Sequence, residues 1–384
     1  MKQYSKIRLY FAIAAISFLQ GLQFSVSPVL GKIQAHYPDV NVSLVPMLIT
    51  APGLFSLVVS LVSGWLVLKI TKKKLLIFAG FVAGVTGLLP FLHDSFPLLL
   101  VSRTVYGISL GIATTMNMAV VAEFFEGNER VKAMGIQAAS VGAGMVVTTV
   151  CAGFLGRGDF RNSYFINLIG FISMIVLIIC LPETGVAKET KTEKIRLNGK
   201  VLIMDLFALL ENVFLITYTT NIAMHLSGAL AGNSSVSGTL TGIFSGVQIV
   251  AGVLLGVITA KLKKYTPAAA MLSFSAGAVF LTLFPGNYAM LMVSSVLCGM
   301  SQGVFIPTAS TYLSNHVAPV ATALAAATMT VAMNAGQLLS PVLLNMASRW
   351  IFGQTTTTGV YIISAVGMTI SAAAMIAWRH HSRD

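Results

Sequence analysis

The chain has 384 residues, of which 56% are apolar and only 9% charged, with a mean hydropathy of +0.84. That balance excludes a soluble domain of this length, and in a lipid surrounding every backbone N–H and C=O must find its partner inside the protein. The net charge of +12 would suit nucleic acid if it covered one surface, so its distribution along the chain decides what it means.

Apolar runs of about 20 residues, rather than alternating runs of about 10, predict membrane-spanning helices and not a barrel. The first run follows Lys2, Lys6 and Arg8 and extends from Ile7 to about Leu30 without a small-residue cleavage site, so it reads as a retained first helix. Further helices are predicted near 44–68, 74–93, 97–122, 132–155 and 162–181, then near 201–228, 236–260, 267–285, 288–312, 320–346 and 357–378. The fold class is therefore all-α and polytopic, with twelve spans in two sets of six. The set boundaries are 1–182 for the first bundle, 183–200 for a polar linker containing KETKTEKIR, and 201–384 for the second bundle.

With the N-terminus inside, nineteen of the 24 Lys and Arg fall on one side of the bilayer. Lys32, Arg157, Arg161 and Arg349 fall on the other, and Arg103 lies within a helix. Such asymmetry over short loops is the positive-inside pattern. It predicts both termini in the cytoplasm of a multi-pass plasma-membrane protein, requires an even number of spans, and removes nucleic acid as a partner. Cys151, Cys180 and Cys298 lie in apolar runs without paired or metal-ligand spacing and read as small packing residues.

An internal repeat appears at an offset of 192, half the chain length. Val101–Gly111 (VSRTVYGISLG) aligns without gaps to Val293–Gly303 (VSSVLCGMSQG), and at the same offset Gly64 falls on Gly256 and Lys69 on Lys261. Two parallel repeats predict two bundles moving about a site near mid-membrane.

On these residues the chain resembles the major facilitator superfamily over its whole length. The family's loop between helices 2 and 3, G-x-L-A-D-R-x-G-R-[RK], is matched here by Gly64, Leu66, Lys69, Lys72 and Lys73, with Leu68 at the acidic position and Thr71 at the second glycine. In helix 4, Arg103 and Gly107 match the Arg-x-x-x-Gly signature. RNSYF from Arg161 and LPET from Leu181 bracket helix 6 as in the family. In helix 5, Gly144 and Gly153 fit the G-x-x-x-G-P-x-x-G-G motif of the family's exporters, whereas Thr148, Thr149 and Ala152 replace its middle glycines and proline. The resemblance implies two six-helix bundles working by alternating access, in the style of drug/proton antiporters and small-metabolite exporters. It makes Gly64, Lys69, Lys72, Lys73, Gly107, Gly144 and Gly153 candidates for gating, and it implies that helices 1, 4, 7 and 10 line the cavity.

An ionisable side chain inside a bilayer costs several kcal/mol, roughly, and needs a partner, water or a function. Arg103 sits roughly 10 Å into helix 4 at 1.5 Å per residue. Two readings stand for it: a counter-ion for an anionic substrate or a titrating carboxylate, or a hydrogen-bond hub for helix-end carbonyls. Glu211 lies about 16 Å into helix 7 and reads either as a reversible proton carrier or as a helix-end carboxylate facing interfacial water. Glu123, Glu126 and Glu129 cluster where helix 4 emerges and are expected to be solvated, and His225 is expected near the outer surface. The other polar groups on the lining helices are Gln20, Gln23, Tyr106, Asn117, Tyr218, Asn221 and Gln302; for any single amide the reading as interhelical hydrogen-bond glue is favoured, while together they mark a polar interior. Glu211, Tyr218 and His225 are spaced by seven and share a face if helix 7 is continuous.

No nucleotide-binding loop, filter repeat or ring of like charges is present, so neither an ATPase nor a channel is indicated. The expectation is a secondary transporter without cofactors or enzymatic activity. It would be a monomer in the bilayer, moving a small organic molecule outward with protons as the coupling ion. Two alternatives stay open: an importer or uniporter of a small organic anion anchored by Arg103, and a non-transporting sensor or assembly factor on a transporter scaffold.

Overall fold

Long apolar stretches that must satisfy their own backbone fold as helices, and the computed structural model, which describes residues 5–186, 199–317 and 322–381, contains no strand among them. The helices are α1 (Lys6–Gly21), α2 (Leu30–His36), α3 (Met47–Leu66), α4 (Lys72–Thr86), α5 (Phe96–Phe124), α6 (Gly127–Leu155) and α7 (Ile169–Cys180). They continue with α8 (Gly199–Leu215), α9 (Thr217–His225), α10 (Ser234–Leu262), α11 (Thr266–Leu283), α12 (Tyr288–Asn315), α13 (Thr322–Phe352) and α14 (Thr357–His381). Ten stretches of the described residues are long and apolar enough to cross a membrane. One of them, Ser234–Leu283, holds both α10 and α11, and α3 adds a shorter apolar helix, Met47–Ser63. The result is the twelve-span arrangement that the sequence predicts.

Two spans expected as single helices are broken. The first, expected over 7–30, leaves regular geometry after Gly21, passes through 3₁₀ turns at Leu22–Phe24 and Ser27–Val29, and resumes as α2. Gly21 lies so close to α6 that a Cβ there would stand 2.6 Å from the carbonyl carbon of Gly144, and Pro28 has no N–H to offer the ladder. The seventh span breaks at Ile216, between α8 and α9. Here Ser340 Oγ donates to Val213 O and Thr217 Oγ1 to Phe214 O, side-chain bonds that compete with the helical ladder. The break separates Glu211 from Tyr218 and His225, so the shared face expected from a continuous helix does not follow.

The chain divides into two units, Met1–Val40 with Met47–Lys191 and Asn41–Pro46 with Thr192–Asp384. The whole of the polar stretch KETKTEKIR, together with the rest of 187–198, lies outside the described residues. In the first unit α1 packs on α6, α3 on α5, and α4 on both α5 and α7. In the second, α8 packs on α13, α10 on α12, and α11 on both α12 and α14. The pairings correspond one to one.

The correspondence holds atom by atom at the offset of 192. A Cβ on Gly107 would meet Pro52 O at 2.7 Å, and one on Gly299 would meet Phe244 O at 2.5 Å; Phe244 lies 192 residues after Pro52. Gly111 meets Ser56 O, and Gly303 meets Gln248 O, one repeat on. Thr148 Oγ1 donates to Gly21 O at 2.8 Å, while Ser340 donates to Val213 O, again one repeat on. Small residues at these crossings let helix backbones touch, which substitutes for a hydrophobic driving force that lipid does not supply. Gly107→Val and Gly299→Val are each expected to lower unfolding stability by about 1–3 kcal/mol through overpacking. Gly256→Ala, whose Cβ would meet nothing within 4 Å, is expected to be neutral. Thermal unfolding of the purified variants in detergent checks all three.

Candidate functional site

Arg103 lies two turns into α5, which starts at an N-cap where Ser95 Oγ accepts from the N–H of Leu98. Its side chain is wholly buried, at 0% exposure. Nε donates to Leu48 O at 2.9 Å, and Nη2 donates to Leu22 O at 3.3 Å and to Gln23 O at 2.5 Å. Leu22 O also accepts from the N–H of Ser25 at 3.2 Å and from Ser25 Oγ at 2.9 Å, whereas Leu48 O has a local reason to need the guanidinium. Leu48 lies four residues before Pro52, inside α3, so the N–H that would have served its carbonyl does not exist. Leu22 and Gln23 sit in the break of the first span.

In the second unit the position equivalent to Arg103 is Ser295, and the acceptors are served differently. Leu240 O, the counterpart of Leu48 O, accepts from the hydroxyl of Tyr218 at 3.2 Å, and that hydroxyl lies 2.6 Å from Ser295 Oγ. Phe214 O, the counterpart of Leu22 O, accepts from Thr217. Phe244 stands where the first unit has Pro52 and keeps its N–H. The guanidinium therefore occupies a place where the other repeat uses hydroxyls, and its geometry is that of a hub for backbone carbonyls. One donor atom, Nη1, is buried without a hydrogen-bond partner.

Around Arg103, the guanidinium carbon stands 4.8 Å over the ring of Tyr106, whose hydroxyl donates to Leu19 O. Gln20 Nε2 donates to Ala113 O at 3.1 Å and Asn117 Nδ2 to Ser17 Oγ at 3.0 Å, so both amides tie α1 to α5. Gln23 is half-buried. Gly144 lets α6 approach α1 at Phe18, and Gly153 is buried further along α6.

At the end of this unit where α4 begins, Lys69 Nζ lies 4.0 Å over the Trp65 ring, Lys72 Nζ pairs with Glu123 at 2.6 Å, and Lys73 Nζ donates to Ile178 O at 2.8 Å. Gly64 falls in the last turn of α3. Glu123, Glu126 and Glu129 are exposed, as expected, and the first also pairs with Lys72 and the third with Lys6. At the other end, in the loop before α5, Asp94 accepts from the Tyr37 hydroxyl and lies 2.9 Å from His36 Nε2. These two contacts hold its carboxyl below the usual range.

In the second unit Glu211 is also wholly buried, at 0% exposure. Oε2 accepts from Asn212 Nδ2 at 2.9 Å, Asn212 Oδ1 accepts from Gln337 Nε2 at 3.2 Å, and Oε1 is buried without a partner. The arrangement is a carboxyl at the end of a two-amide chain running from α13 to α8. Gly336 makes it possible, because a Cβ there would lie 2.4 Å from Leu209 O. Among the described residues no Lys, Arg or His forms an ion pair with Glu211. The interfacial alternative for Glu211 is thereby replaced by full burial.

Asn221 Nδ2 donates within α9 to Thr217 O and Thr220 Oγ1, Tyr218 stacks on Phe244 at 4.7 Å, and Gln302 is half-buried on α12. His225, the last residue of α9, is buried at 4% exposure, with Nδ1 2.8 Å from Thr357 Oγ1 and Nε2 2.9 Å from Leu281 O. Sequence reasoning passed over Asn212 and Gln337, which touch or extend the Glu211 site; Asp205, expected nearer the cytoplasmic end of the helix than Glu211, is a second buried carboxylate on α8 with Oδ1 unpartnered. The offset of 192 could have drawn attention to Asn212, since it is the counterpart of Gln20.

The family model for the Major Facilitator Superfamily matches residues 9–220 and 206–384. The chain belongs to the major facilitator superfamily. It is a membrane transporter of that family rather than an enzyme. The quinolone resistance protein NorA of Staphylococcus aureus strain COL is 21% identical over 318 residues, 80% of each chain. NorA of strain Mu50 is 24% identical over 204 residues, 51% of each chain. Among solved structures, the nucleoside transporter NupG (D323A mutant) superposes with a TM-score of 0.78 at 14% identity, over 96% of this chain and 99% of that one. The POT family transporter PepTSo gives 0.77 at 8% identity over the full length of both. These structural likenesses carry the fold alone.

Proposed function

We propose that this transporter is a proton-coupled exporter of a small organic molecule, working by alternating access in the plasma membrane with both termini cytoplasmic, and that Glu211 is where the proton is exchanged. The observation that carries this reading is the burial of Glu211 without a cation, one oxygen held by Asn212 and the other unpartnered. An unpaired charge in a low-dielectric interior is costly, and the whole cost falls on the ionised form of the carboxyl. Gaining and losing a proton therefore changes which environment Glu211 tolerates, and a change of environment is what alternating access provides. Outward transport is supported by the similarity to a quinolone resistance protein over 80% of both chains. The anion-anchor reading of Arg103 has less support, because Nε and Nη2 are taken by backbone carbonyls.

Flux of a fluorescent quinolone across proteoliposomes tests the function. An imposed pH gradient is expected to drive accumulation into the acidic compartment, and a protonophore is expected to abolish it. Equal flux with and without the gradient would remove proton coupling, and no flux at all in vesicles that still bind the compound would favour a non-transporting sensor.

A further inference from the structure

The repeat fails in one place where charge is left over. In the first unit Lys72, which opens α4, pairs at 2.6 Å with Glu123 near the end of α5. One repeat on, those two positions are Lys264 and Asn315: the lysine is kept, while the carboxylate has become an amide. Lys264 and Asn315 both line a cavity of about 500 Å³ where α10, α11, α12 and α14 come together, and Lys263 and Arg379 line it with them. Thr259 and Thr308 add hydroxyls to its wall. No carboxylate is among the lining residues, and among the described residues none forms an ion pair with Lys263, Lys264 or Arg379.

Two of the three cations, Arg379 and Lys264, have contacts that hold them at the cavity. Arg379 Nε donates to Lys264 O at 3.2 Å, and its guanidinium lies 4.4 Å over the ring of Tyr312, a residue only 6% exposed. Lys264 Nζ lies 5.5 Å from the centre of the Tyr265 ring. Three like charges around one cavity repel one another unless an anion sits between them. A phosphate group, with its several acceptor oxygens, matches two ammonium groups and a guanidinium better than a single carboxylate could. The cavity lies at the end of spanning helices, the depth at which basic pockets meet headgroups.

We infer that this cavity binds a phosphate-bearing anion, supplied by an anionic phospholipid headgroup or by a soluble phosphate, which takes the place that Glu123 fills in the first unit. The test uses the full-length protein. Its thermal unfolding is followed in detergent with inorganic phosphate against chloride at matched ionic strength, and in nanodiscs of phosphatidylcholine with and without phosphatidylglycerol. A rise in Tm is expected in at least one arm: with phosphate itself if the source is soluble, with phosphatidylglycerol alone if it is the headgroup. Lys264→Gln removes one charge-assisted bond and is expected to weaken the apparent affinity about tenfold. Asn315→Glu, an exposed position in which the internal counter-charge is restored, is expected to abolish the rise in Tm, whereas Lys72→Gln is expected to leave it in place. The inference is overturned if neither anion raises Tm, or if the rise survives unchanged in both Lys264→Gln and Asn315→Glu.

Discussion

Arg103→Ala is expected to destabilise the first unit by roughly 2–4 kcal/mol, since Leu48 O is left without a donor, at about 1–3 kcal/mol, and the carbonyls of Gln23 and Leu22, the latter still served by Ser25, each lose a charged bond. Arg103→Lys is expected to recover only part of this, because one ammonium on a flexible stem cannot reproduce a planar fork that reaches two helices at once. The link to Pro52 makes the argument specific. Pro52→Ala returns an N–H to Leu48 O, so it should soften the loss in Arg103→Ala by about 1 kcal/mol, the net worth of an ordinary hydrogen bond. Thermal unfolding of the two single variants and the double variant gives the coupling directly. A substrate-anchoring arginine would behave differently: Arg103→Lys would keep its Tm and lose affinity for anions.

Much of the fold was legible in the sequence because the bilayer permits so few solutions. Apolar run length gave the twelve spans, and the offset of 192 gave pairings that recur down to single contacts, such as Gly107 with Pro52 O and Gly299 with Phe244 O. The breaks at Gly21 and Ile216 were not legible. Pro28 in the first span and the run Thr217 to Asn221 in the seventh are local signals, but too short to end a span by themselves, and what fixes the breaks is the approach of another helix and hydroxyls from residues such as Ser340, far away in sequence. For the same reason the depth of Arg103 and Glu211 could be read from position along a helix, while their partners could not. Arg103 meets carbonyls, which have no signature in a side-chain pattern. Asn212 and Gln337 become a chain only once α8 and α13 are seen to touch at Gly336.

Glu211→Gln is the second change with a large expected effect. Glutamine keeps the shape of the side chain and an oxygen that can accept from Asn212 Nδ2, so the bond at 2.9 Å and the packing around it survive. What it removes is the ability to gain and lose a proton. Substrate exchange between the two sides without net proton movement requires only the conformational cycle and is expected to persist in the variant. Net transport against a gradient requires the coupling ion and is expected to fall to the level of protein-free vesicles. The most direct measurement is therefore made on wild type and Glu211→Gln reconstituted side by side, comparing counterflow with accumulation driven by an imposed pH gradient. Counterflow retained and gradient-driven accumulation lost is the predicted result; gradient-driven accumulation by Glu211→Gln at the wild-type rate would contradict the assignment of the proton site to Glu211.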